Sequence, residues 1–152
     1  MLKYFKQLRK LTNMYETKED LIRETKVIDA FCKHYKLEKQ KLPMTQQIDY
    51  ALCIDKKIVG FAEVKCRVFK HDQYKSMFVG FNKVQKAKEL FDLTRKRVLL
   101  LVCWSDVYGH IDFAEDFDIA LGGRKDRGDK NDFGLIAHYP IDSFTILGRV
   151  PI

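Results

Sequence analysis

Asp49, Glu63 and Lys65 are the residues whose types and spacing could do chemistry. Residues 47–54 alternate, with Ile48, Tyr50, Leu52 and Ile54 on one side and Asp49, Ala51 and Cys53 on the other. That period of two reads as a strand. Asp55-Lys56-Lys57 is a polar turn, and 58–68 reads as the returning strand. Alternation puts Glu63 and Lys65 on one face with Phe61 and Arg67, while Ala62, Val64, Cys66 and Val68 face the other way. A three-residue loop at 55–57 pairs Ile54 with Ile58, and counting back sets Asp49 opposite Glu63. Opposed residues have Cβ atoms roughly 4.5–5.5 Å apart. Two carboxylates there repel unless something offsets them, and a divalent cation taking oxygen ligands is the natural offset. Lys65, one step along the same face, could polarise a water or stabilise charge building on a phosphate.

These residues need a frame. Residues 17–37 read as a helix, with Thr17 as cap, Asp20 three residues on, and an apolar stripe of Leu21, Ile28, Phe31, Cys32 and Tyr35. Glu24 falls at the edge of that stripe, where a carboxylate is partly buried and calls for a partner or a metal. Glu19 is the fallback carboxylate in the same helix. Residues 81–96 read as a second helix through Val84, Ala87, Lys88 and Phe91, closed by the cations Arg95-Lys96-Arg97. The apolar run 98–104 reads as a strand buried on both faces. Further strands are expected at 109–114, and as a terminal pair at 134–139 and 143–147, after a polar loop at 122–132. Residues 1–11 could form a short basic helix.

The chain has 152 residues and a net charge of +7, which fits one domain over 1–152 and favours a polyanionic partner. The apolar run 98–104 is too short to span a bilayer, and the N-terminus lacks the apolar core of a signal peptide. Cys32, Cys53, Cys66 and Cys103 form no C-x-x-C pair and read as reduced, buried thiols of a cytoplasmic protein. Asp106, Asp112, Glu115, Asp116 and Asp118 form a second acidic group, read as a solvated loop. Phosphate-loop, dinucleotide-fold and nucleophile-elbow motifs do not occur.

The succession of a helix carboxylate, an Asp, a Glu-x-Lys on the next strand, a helix and a buried strand resembles the PD-(D/E)XK nuclease superfamily over residues 17–104. Ile48-Asp49 stands for the "PD" element, with Ile48 in place of proline, and Glu63-Val64-Lys65 for "(D/E)XK". The resemblance implies an α/β, restriction-endonuclease-like αβββαβ core: a mixed sheet flanked by helices, here with extra C-terminal strands. It implies Mg2+-dependent hydrolysis of DNA phosphodiester bonds, with Mn2+ as substitute. Asp49, Glu63 and the Val64 carbonyl would hold the metal, and Lys65 would orient the water. Glu24 would serve a second metal or stand behind the first. Gln85 resembles the extra glutamine that some branches place near the site. Arg67, Lys70, Lys83 and Lys86, with Arg124, Lys125, Arg127 and Lys130 in the 122–132 loop, are the candidate DNA contacts. Restriction-like, homing-like, junction-resolving and phage or repair nucleases all fit. A homodimer fits duplex cleavage, in the cytoplasm or, for a phage protein, the host cytoplasm. A non-catalytic nucleic-acid-binding module on the same fold is the alternative.

Overall fold

The computed structural model describes residues 17–123 and 133–151. The elements run α1 (Lys18–Tyr35), β1 (Glu38–Lys41), β2 (Tyr50–Ile54), β3 (Lys57–Cys66), β4 (Ser76–Gly80), α2 (Phe81–Thr94), β5 (Arg97–Cys103), β6 (Val107–Asp112), β7 (Asp118–Gly123), β8 (Phe133–Pro140) and β9 (Thr145–Arg149). Thr17 starts α1 with a capping box: its hydroxyl accepts from the Asp20 N–H and the Asp20 carboxylate accepts from the Thr17 N–H.

Six strands form one mixed sheet in the order β1-β2-β3-β5-β6-β9, and β4-β8-β7 form a smaller one. The β3–β5 pair is parallel; β1–β2, β2–β3, β5–β6 and β6–β9 are antiparallel. Helix α1 covers one face through Val27, Ile28 and Phe31 against Tyr50, Leu52, Ala62, Val64, Leu101 and Cys103. Val84 and Ala87 of α2, with Met77 and Val79 of β4, cover the other face against Ala51, Phe61, Val98, Leu100 and Val102. Burial on both sides is why residues 98–104 are apolar without alternation. The α/β class and the flanked mixed sheet are as expected.

Three short strands add to the expected set. β1 is a charged edge, Glu-Lys-Gln-Lys, whose side chains give no apolar alternation. No element is expected at β4, and β7 runs between the acidic group read as a solvated loop and the polar loop at 122–132. The terminal strands do not pair with each other: β8 joins β4 and β7, whereas β9 joins β6. The β2–β3 turn is also tighter than expected. Asp55 and Lys56 both have positive φ, 50° and 63°, as a two-residue type I′ turn requires. Ile54 therefore pairs with Lys57, but a bulge then inserts Val59, because Cys53 pairs with Ile58 and Leu52 with Gly60. The bulge restores the expected register, and Tyr50 pairs with Ala62. The basic segment 1–11 lies outside the described residues.

Candidate active site

One further step along the β2–β3 register sets Asp49 opposite Glu63. β2 begins at Tyr50, so the ladder has ended there, and the Asp49 Oδ2 takes the Val64 N–H at 2.8 Å. That satisfies a backbone donor which the shortened strand leaves unpaired. Glu63 lies in mid-strand between Ala62 and Val64, beside Leu100 of β5, and is 1% exposed. Its Oε1 lies 3.3 Å from Lys65 Nζ and 2.9 Å from Lys83 Nζ. Its Oε2 is buried with no hydrogen-bond partner among the described residues. Burial pushes the Glu63 carboxyl above its ordinary range and the nearby Asp49 adds to this, while Lys65 and Lys83 pull the other way.

Glu24 is buried on α1. Its Oε1 accepts from Lys41 Nζ at 2.9 Å and from the Tyr50 hydroxyl at 3.2 Å. Lys41 also lies 3.8 Å from Asp49 Oδ1, and its ammonium sits over the Tyr50 ring at 4.6 Å from the centroid. Glu24 therefore reaches the Asp49 end of the site through Lys41. Glu19, the fallback carboxylate, is exposed. The Asp49 and Glu63 carboxylates, the latter with one orphaned buried oxygen, suit a hard divalent ion.

Residues 10–147 match the family model described as "Phage putative PDDEXK endonuclease". The chain belongs to this family of the PD-(D/E)XK nuclease superfamily. No curated protein matches it.

Several expected site residues of this PD-(D/E)XK chain are placed differently. Lys83, expected on a DNA track, instead points into the site, where its ammonium donates to the Gln47 carbonyl at 2.6 Å as well as to Glu63. Gln85 is exposed and lines a groove with Gly80, Asn82 and Ile136 rather than joining Glu63. A helix advances about 100° per residue, so two residues beyond Lys83 lies nearly the opposite side of α2. Arg67 donates to the Phe78 carbonyl at 3.2 Å and to the Cys66 carbonyl at 3.3 Å, so it braces β3 against β4. Lys86 pairs with Glu89 at 3.2 Å, and Lys70 is exposed. Arg124, Lys125, Arg127 and Lys130 lie outside the described residues. The second acidic group does not gather: Asp106 accepts both the backbone N–H and the ring Nδ1 of His71, whereas Asp112 faces Arg97 at 3.7 Å. Ligand atoms of His71, Asp72 and Asp106 lie within 4.8 Å of one another, with Asp72 exposed. Sequence reasoning missed Lys41 altogether: nothing in the pattern of β1 distinguishes it from an ordinary edge lysine.

Proposed function

We propose that this chain is a Mg2+-dependent endonuclease that hydrolyses DNA phosphodiester bonds. The observation that carries the reading is Glu63, a carboxylate buried in an apolar sheet with one oxygen unpartnered, beside a second carboxylate and two lysines. A buried, unsatisfied polar oxygen costs about 1–3 kcal/mol, which a module with no chemistry has no reason to keep. Asp49, Glu63 and the Val64 carbonyl hold the ion in this reading, with Mn2+ able to replace Mg2+. The ion supplies Lewis-acid polarisation of the phosphate and a more acidic water. Lys65 would orient the attacking water and meet the charge that builds on the phosphate. Lys83 holds Glu63 in place. Binding of DNA comes from the excess of Lys and Arg, a sum of phosphate contacts that no one residue dominates. Cutting both strands of a duplex calls for two sites, so a homodimer on DNA is the working assembly, in the host cytoplasm.

The test is nicking of supercoiled plasmid with Mg2+, with and without chelator, for wild type, Asp49→Ala and Glu63→Ala. Nicking that needs the metal and is lost in both variants, with DNA binding retained, is the expected result. No cleavage of duplex, branched or single-stranded DNA by the wild type leaves the binding-module reading in its place.

A further inference from the structure

Three carboxyl groups, Glu24, Asp49 and Glu63, meet three lysines, Lys41, Lys65 and Lys83, each ammonium within 4.0 Å of one of those carboxyls. The lysines are not interchangeable. Lys65 and Lys83 both sit on Glu63. Lys41 alone spans two carboxylates, at 2.9 Å from Glu24 and 3.8 Å from Asp49. β1 pairs Lys41 with Tyr50, next to Asp49, and the Tyr50 ring beneath the ammonium fixes its approach. Glu24 Oε1 is already engaged by Lys41 and by the Tyr50 hydroxyl. Among the three carboxylates, the fully buried oxygen without a hydrogen-bond partner lies instead on Glu63.

We infer that the Lys41 ammonium is a built-in cation standing where a second divalent ion would bridge Glu24 and Asp49, so that the site takes one divalent ion, between Asp49 and Glu63. The inference rests on the metal-dependent reading above and assigns Glu24 and Lys41 as positioning residues. Two-metal sites hold their ions about 3.5–4 Å apart on shared carboxylates. A second ion on Glu24 and Asp49 would meet Lys41 at contact distance. It could reach Glu24 Oε1 only by displacing that ammonium.

The test counts Mn2+ ions per chain without DNA, by calorimetric titration and by the electron paramagnetic resonance of free Mn2+. Wild type is expected to bind one ion, lost in Asp49→Asn and kept in Glu24→Gln. Lys41→Met is expected to bind two, the second lost when Glu24→Gln is added. Two ions on wild type overturn the inference, as does a single ion on a folded Lys41→Met chain; should that variant not fold, Lys41→Gln replaces it and the wild-type count still decides. No Mn2+ on wild type, by contrast, overturns the metal-dependent reading itself and the inference with it.

Discussion

Lys83→Met removes one of the two charges that favour the ionised form of Glu63. The lost attraction follows from the 2.9 Å separation: about 1.4 kcal/mol if the pair behaved as in bulk water, and about 6 kcal/mol at an effective dielectric constant of about 20. Lys83 is 22% exposed and Lys65 remains in place, so the lower end of that range is the safer expectation. One pH unit corresponds to about 1.36 kcal/mol. Glu63 must be ionised to hold a divalent ion, and its carboxyl already sits above the ordinary range because of burial. Removing Lys83 raises it further. The acidic limb of the pH profile of Mg2+-dependent nicking should therefore move to higher pH, by about one unit or more. Lys83→Arg keeps the charge and should leave the limb close to wild type. The assay is initial nicking rate from pH 5 to 9 at fixed Mg2+ and fixed salt, beside a melting curve for each variant. A limb that stays put while the rate falls equally at every pH would refute the electrostatic role and reduce Lys83 to a brace on the Gln47 carbonyl.

Lys65→Ala should lower nicking about 10²–10³-fold, the effect of removing one donor to a developing oxyanion, while plasmid affinity at fixed salt barely changes; equal losses in both would mean that Lys65 only binds. Asp106→Asn probes the pair with His71. Burial raises the Asp106 carboxyl, but the two hydrogen bonds from His71 outweigh it and hold the group below its ordinary range. Stability from a lowered carboxyl is present above the ordinary carboxylate range and lost as pH falls through the lowered value. The variant should thus melt below wild type at neutral pH and converge with it in strong acid, and a pH-independent gap in melting temperature would contradict this.

The shared face of Glu63 and Lys65 on β3 was legible because a strand alternates. Once 58–68 reads as a strand, Glu63 and Lys65 must share a face. The opposition of Asp49 to Glu63 was also legible, though through a different local path: a two-residue turn and a bulge at Val59 together give the register that a three-residue loop would have given. Positive φ at Asp55 and Lys56 is tolerated without glycine, so the sequence carries no Asn-Gly or Asp-Gly flag for the tight turn. Lys41 and Lys83 were not legible as site residues. A lysine on a charged edge strand and one in the first turn of a surface helix look like any solvated cation. Only the fold brings β1 beside β2 and the start of α2 over β3. Gln85 shows the converse error, in which a fitting residue type near the right helix end points the wrong way round the axis.

The fold also explains why the site needs so many lysines. β3 is covered on both faces, by α1 and by α2 with β4, and its parallel partner β5 is apolar. A carboxylate at position 63 therefore cannot reach water as it would on an open sheet, and an isolated charge there would cost far more than one ion pair recovers. Two lysines on a single oxygen lower that cost while leaving the other oxygen unused. Asp49 is spared the same difficulty, because it lies where the ladder stops and binds a backbone N–H instead. The pair is thus asymmetric: one carboxylate is oriented by the backbone, the other is held in a dry sheet by cations. With Lys41 on Glu24, each carboxyl of the cluster has a lysine ammonium within 4.0 Å. In the metal-dependent reading, one divalent ion would add two positive charges to this cluster, which favours the approach of a phosphodiester.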